Sequence, residues 1–220
     1  MKKYIAIILF LSALTISLSS CKDKTKQTSI SSIDTPKNTG APANSETYKA
    51  NTETSNIEWK GFKPTGEHFG TVSIENGTLD IANGKITGGS FNINMTSIIV
   101  TDIPAEEKGN AKLLSHLKSE DFFNTETHPK ASFTVTGSEL VEGKTMLSGD
   151  LIIKGISNNI SFPVTVTQNE NDLTLSSEAF TIDRTKWEIK YKSKSIFGDL
   201  GDKFINDDIE LKILVEATKS

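Results

Sequence analysis

Few side chains in this sequence have the types and spacing for chemistry, and those few are scattered. The histidines are His68, His116 and His128, and no two stand two to four residues apart, so no metal-binding spacing is present. Cys21 is the single cysteine, which rules out an internal disulfide and a cysteine-based zinc site. There is no Gly-x-Ser-x-Gly elbow, phosphate-cradling glycine loop or dinucleotide-binding glycine pattern. Carboxylates are plentiful, but they fall on polar faces and turns with nothing to single out an acid–base pair. Neither a metal nor a cofactor is expected, and no residue is assigned a catalytic role.

Arg184 is the charge that stands apart, set between apolar Ile182 and aromatic Trp187. Its guanidinium has two uses: meeting a ligand headgroup, or pairing internally with Asp183, Asp207 or Asp208. The internal pair is favoured, because a buried charge needs a partner. His116 stands beside Leu117 in a helical stretch, where a hydrogen-bonded histidine is expected rather than a ligand or a base.

The elements that must hold these residues begin after a leader. Lys2 and Lys3 precede an apolar run from Tyr4 to Leu18, of signal-peptide length and too short to span a membrane. The run ends Leu18-Ser19-Ser20-Cys21, which resembles the bacterial lipoprotein box, in which the cysteine is acylated and becomes the mature N-terminus. Residues 1–20 are therefore expected to be a lipoprotein signal peptide. Cys21 would be the lipid attachment site, holding the protein to a bacterial envelope membrane on its periplasmic or outer face. Without Lys2 and Lys3 the mature chain has 22 basic and 28 acidic residues, a net charge of −6. Such a chain suits neither nucleic acid nor anionic headgroups. Residues 21–55 are mostly Lys, Thr, Ser, Asn, Pro and Gly with Tyr48 as their one aromatic, and they read as a flexible tether.

From residue 56 to 218 the texture is that of a single β domain. Ile57 and Trp59, then Val72 and Ile74, then Phe91, Ile93 and Met95 alternate with polar neighbours. Asn76-Gly77 and Asn83-Gly84 carry the strongest short hairpin signal. Phe133 and Val135, then Phe162 and Val164, then Trp187, Ile189 and Tyr191 extend the pattern, and Ile209 to Val215 closes it. Pro163 points to an edge or bulge. Leu173 and Leu175 set one register while Phe180 and Ile182 set the other, which predicts a bulge between them. One helix is expected within Asp102–Ser119, regular from about Gly109, with Leu113 and Leu117 on one face. Phe122 and Phe123 follow it, and Pro129 ends the segment. The expected fold is all-β: a lipocalin-like antiparallel barrel of about eight strands with one capping α-helix.

Taken together, several segments resemble the YceI-like lipid- and polyisoprenoid-binding family. They are His116-Leu117-Lys118-Ser119 with Asp121-Phe122-Phe123, Pro129 and Phe133; Gly149-Asp150-Leu151 with Ile153-Lys154-Gly155; Phe162-Pro163-Val164; and Phe180-Thr181-Ile182-Asp183-Arg184-Thr185 with Trp187 and Ile189. The resemblance implies an extended barrel with a helix over it and an elongated apolar pocket for a long-chain isoprenoid, fatty amide or similar lipid. Family members often carry Arg-Asp where this chain has Leu113-Leu114, and Gly where it has Glu188. Polar contacts at those positions do not carry over.

The candidate pocket walls are Trp59, Phe91, Ile93, Met95, Phe133, Phe162, Phe180, Ile182, Trp187 and Ile189, with Leu113, Leu117, Phe122 and Phe123 at the helix end and Arg184 at the mouth. Alternation alone does not separate a hollow barrel from a filled one. The expected partners are an apolar lipid such as a polyisoprenoid and, through Cys21, a membrane. A homodimer is left open. The competing expectations are a filled β-domain acting as a surface adhesion or interaction module, and a lipid-modifying enzyme with a polar cluster at the pocket.

Overall fold

The computed structural model describes residues 45–220. The signal peptide, Cys21 and most of the tether lie outside these described residues. The described chain runs β1 (Glu46–Ala50), β2 (Asn56–Lys63), β3 (Gly66–Ala82), β4 (Lys85–Val100), α1 (Lys108–Lys118), β5 (Lys130–Val141), β6 (Lys144–Ile153), β7 (Ile156–Gln168), β8 (Asp172–Ser177), β9 (Phe180–Asp183) and β10 (Asp208–Lys219). A 3-10 turn at Arg184–Trp187 joins β9 to the loop that leads into β10.

All strand pairs are antiparallel, and β10 pairs with both β2 and β8, which closes the sheet into a ring. The ring has eight columns because two of them are split. β1 and β2 share the column between β3 and β10: β1 faces Thr78–Ile81, and β2 faces Gly66–Ser73. β8 and β9 share the other split column. Leu175 lies opposite Val215 but Phe180 lies opposite Leu211, so the register slips by one residue at Glu178-Ala179. This is the bulge that the two registers of Leu175 and Phe180 require. Pro163 of β7 sits against the same break, where β8 has already ended.

Three expectations are corrected. The ordered domain starts about ten residues earlier than the reading of 21–55 as tether, because β1 belongs to the barrel. Tyr48 is fully buried there, and its hydroxyl donates to Glu46 Oε2 (3.1 Å) and accepts from Gln168 Nε2 (2.7 Å). Five residues with one aromatic show no readable alternation; pairing with two distant strands is what buries them. Second, Asn76-Gly77 is not a turn. It lies inside the 17-residue β3, where a Cβ on Gly77 would come within 2.1 Å of the Phe91 ring. Here glycine makes room for an aromatic on the next strand, and the hairpin turn is Asn83-Gly84 alone, with φ of 52° and 71°. Third, Trp187, Ile189 and Tyr191 alternate but form no strand. Glu188 takes φ 59°, the left-handed region that favours glycine, and turns the chain.

The helix spans 11 residues and lies against β4. The Asn110 amide donates to the carbonyls of Val100 (3.1 Å) and Ile103 (2.7 Å), and Lys118 Nζ donates to Thr96 O (2.7 Å). These bonds fix α1 across one end of the barrel with Leu117 buried beneath it.

Candidate functional site

Two apolar cavities lie inside the barrel and share walls at Ile57, Ile93, Leu151 and Leu211. The larger, about 240 Å³, occupies the end where β2 turns into β3, β4 gives way to α1, and the Arg184 turn folds over. The smaller, about 60 Å³, continues toward the middle of the barrel. For scale, a dry apolar hole of about 150 Å³ in another protein takes up benzene.

Every wall residue expected from the sequence lies on one cavity or the other. Trp59, Met95, Leu113, Leu117, Phe122, Phe123, Ile182, Arg184, Trp187 and Ile189 line the larger, Phe91, Phe133, Phe162 and Phe180 line the smaller, and Ile93 lines both. Phe162 stacks on Phe180 with centroids 4.2 Å apart and planes at 6°, and Phe133 leans on Phe162 at 5.7 Å, so aromatic rings narrow the inner cavity. Several wall residues were not foreseen. Ile57, Val72, Ile209 and Leu211 share the registers of named neighbours and were readable from alternation. Lys63, His68 and Asn206 were not, because they meet only through the β2–β3 turn and the loop before β10.

Exposed Lys63 and Asn206 bring the larger cavity to the surface. At that rim His68 Nδ1 lies 2.7 Å from Asp102 Oδ2, Lys63 Nζ lies 3.2 Å from His68 Nε2, and Asp102 Oδ1 accepts from the Phe69 N–H at 3.0 Å. An ammonium can only donate, so Nε2 accepts and Nδ1–H donates to Asp102. Burial works to raise the Asp102 pKa, but the His68 and Phe69 hydrogen bonds outweigh it and hold the carboxyl below its ordinary value.

Arg184 shows what closes this end. It is 1 % exposed, and its guanidinium donates to the carbonyls of Ile189 (2.6 Å), Ile205 (3.0 Å) and Asn206 (3.0 Å), with Asp207 Oδ1 at 3.4 Å. Burial draws its pKa below the usual arginine value, against the pull of Asp207 and Asp183. Of the three partners expected, Asp207 is the one it reaches, and backbone carbonyls do most of the binding. Asp183 instead accepts from Thr185 N (2.9 Å) and Oγ1 (2.7 Å), capping the turn. Arg184 also lies 5.4 Å from the Phe122 centroid, which ties the turn to the segment after α1.

His116 completes the cap. Its ring meets Phe122 and Tyr191 edge-on, with centroids 5.3 and 4.6 Å away. Its Nε2 is buried without a hydrogen-bond partner among the described residues, contrary to the satisfied histidine expected there. Among the described residues no group of three or more His, Cys, Asp or Glu is placed to hold a metal ion, and no helix is long and apolar enough to cross a membrane.

A closed antiparallel barrel, a helix across one end and an apolar hollow beneath it define a lipocalin-like class of β-barrel. Within that class the chain belongs to the YceI-like domain family, which matches residues 48–217. It is 27 % identical over 144 residues to a UPF0312 protein of Photorhabdus laumondii, covering 65 % of this chain and 73 % of that one. It is 26 % identical over 153 residues to Protein YceI of Escherichia coli O157:H7, covering 69 % and 74 %. Among solved structures, BcnA of Burkholderia cenocepacia superposes with a TM-score of 0.60 at 19 % identity, over 77 % of this chain and 99 % of that one. A polyisoprenoid binding domain from Saccharophagus degradans gives 0.54 at 13 % identity, over 79 % and 98 %. These two likenesses concern the fold.

Proposed function

We propose that this protein takes up a long-chain apolar lipid of polyisoprenoid or similar type inside its barrel, without catalysis, while a lipid on Cys21 tethers it to a membrane of the bacterial envelope. The observation that carries this is the apolar hollow of about 240 Å³ beneath α1, continuous in its walls with a second cavity deeper in the barrel. The polyisoprenoid-binding domain of Saccharophagus degradans supports the ligand class, since its fold is shared. The lipoprotein-like sequence ending at Cys21 supports the anchor.

The mechanism is partition. Each CH₂ moved out of water contributes about 0.8 kcal/mol, so a ten-carbon stretch gives roughly 8 kcal/mol before losses. Ordering the chain consumes part of this and leaves affinity of about micromolar or tighter. An apolar wall grips chain length and shape, so specificity among tails is broad.

Native mass spectrometry of the full chain extracted from bacterial membranes tests the carrier reading. A lipid-sized adduct that leaves on organic extraction is the expected result. A bare mass that takes up no offered isoprenoid alcohol sinks it. For the anchor, Cys21→Ser should move the protein from the membrane to the soluble fraction, and an unchanged distribution refutes that part alone.

A further inference from the structure

Large apolar side chains exposed one at a time need no explanation. Ile196 and Phe197 are adjacent, 43 % and 47 % exposed, and lie in the loop between the Arg184 turn and β10. The base of that loop is held, so the pair is kept outside. The Ser195 N–H donates to Asp207 Oδ2 (3.3 Å), Ser193 is bridged to Ile205, and the Phe197 N–H donates back to Ser193 O (3.0 Å). Ile205 and Asn206, where the loop returns, line the larger cavity, so this apolar tip stands beside its mouth.

The charge around the tip differs from that of the whole chain. A net charge of −6 on the mature chain disfavours anionic headgroups. Between residues 190 and 203 the sign reverses: four lysines (190, 192, 194 and 203) stand against Asp199 and Asp202, 4 minus 2, or +2. Lys190 is paired with Glu188. Lys192 and Lys194, just ahead of the apolar pair, lie over the Tyr191 and Phe204 rings, 5.2 and 4.8 Å from the centroids. The barrel offers a contrast at its other end. Leu140 and Val141, 74 % and 41 % exposed, stand between Glu139 and Glu142 in the β5–β6 hairpin, close to Ile86 at the start of β4. An apolar tip behind lysines suits a bilayer with anionic headgroups, and one between glutamates does not.

We propose that Ile196 and Phe197 insert into the interfacial layer of a lipid bilayer, with Lys192, Lys194 and Lys203 on anionic headgroups, and so set the mouth of the larger cavity on the membrane surface. This goes beyond the carrier and anchor readings, since the tip docks whether or not the barrel is filled. Only the reach of the chain uses the anchor. Glu46, where β1 begins, pairs with Ile81, which is 15 positions (81 minus 66) along β3 from Gly66 at the mouth, at most about 50 Å of strand. Residues 22–44 number 23 and extend to about 80 Å at most, so the mouth can reach the membrane that holds Cys21.

The test uses the full chain purified from bacterial membranes and reconstituted into vesicles of phosphatidylcholine and phosphatidylglycerol with brominated acyl chains, which quench a tryptophan only on contact. The unsubstituted chain gives the background from Trp59 and Trp187. Ile196→Trp should be quenched and shifted to the blue, and Leu140→Trp should be neither. In the Ile196→Trp chain, Phe197→Asp should lower the inserted population more than about tenfold. Lys194→Gln should lower it about fivefold, the worth of one lysine at an anionic surface. An unquenched tryptophan at position 196 overturns the proposal. Quenching at position 140 instead overturns it by resting the barrel on its other end. A blue shift that needs no vesicles and grows with protein concentration overturns it by giving the pair to a second copy of the chain. The Phe197→Asp chain should still sediment with the vesicles; if it does not, the anchor reading fails, while quenching at position 196 still decides this inference.

Discussion

The two ends of this barrel are built from the same kind of strand and are packed differently. Around β1, Tyr48, Leu79 and Leu173 are 0 to 1 % exposed and line neither cavity. At the α1 end, Ile93, Leu113 and Ile182 face a hollow instead of one another. Alternating strands produce both results, so binary pattern does not decide which end is open. Closure does. At the β1 end a short extra strand brings a tyrosine into the column, and its hydroxyl is bonded to Gln168 and Glu46. At the α1 end the lid is one helix and one turn, joined by His116, Phe122 and Arg184 rather than by a packed layer.

The sharpest break of that contrast is Arg184→Met. It keeps length and apolar bulk but leaves the carbonyls of Ile189, Ile205 and Asn206 without a donor and Asp207 without its cation. Removing one member of a buried charged network costs about 3–5 kcal/mol. Chemical denaturation should show a loss of that size, with lipid lost in proportion to unfolding. Lost lipid at unchanged stability would instead give Arg184 a role in the ligand and not in closure.

Matched truncations come next. Leu79→Ala removes a fully packed side chain and should cost about 3 kcal/mol. Leu113→Ala enlarges a space that is already empty and should cost about 1 kcal/mol in lipid-free protein. Equal losses in urea midpoints would mean the hollow is tightly packed in solution.

Matched enlargements reverse the sign of interest. Ala217 (3 % exposed) lines neither cavity, so Ala217→Leu overpacks it and should cost about 1–3 kcal/mol. Ala131, equally buried, lines the larger cavity, and Ala131→Leu should change stability by less than about 1 kcal/mol while reducing lipid uptake. A strongly destabilised Ala131→Leu would place it in a filled core.

The sequence showed the columns better than it showed the elements. The register conflict between Leu175 and Phe180 fixed a bulge because side-chain period two leaves no other solution. The wall residues were legible for the same reason: inward positions are inward whether they meet a neighbour or a void. What was not legible depended on distant partners. Gly77 read as a turn but is a strand position that makes room for the Phe91 ring. Lys63, His68 and Asn206 carry no local pattern and become a rim only when the β2–β3 turn and the loop before β10 converge. His116 was read as a satisfied helical residue because it stands beside Leu117 in a helical stretch. Its neighbours in space are Phe122 and Tyr191.

Acid provides the finest test, because the α1 end holds two carboxyls with depressed pKa values, Asp102 and Asp207. For Asp207 burial works upward, but bonds from Ser193 and Ser195 and the charge of Arg184 prevail. A carboxyl held below its unfolded pKa of about 3.9 stabilises the fold above that pH and loses the contribution as pH falls through the folded value. Both groups therefore support the hollow end at neutral pH and release it below about pH 4, by less than the packing changes cost. At the β1 end the comparable pair is Glu46 with Lys219, exposed and screened by salt. Acidification at moderate salt should therefore lower amide protection, measured against the intrinsic exchange rate at each pH, at Thr101 and across α1 before it does so at Leu79. Asp102→Asn should flatten the response around Thr101, since an amide keeps an acceptor for the Phe69 N–H without titrating. Protection that falls in step at both ends would show that the two regions unfold as one unit, and that the difference in packing between them has no counterpart in local stability.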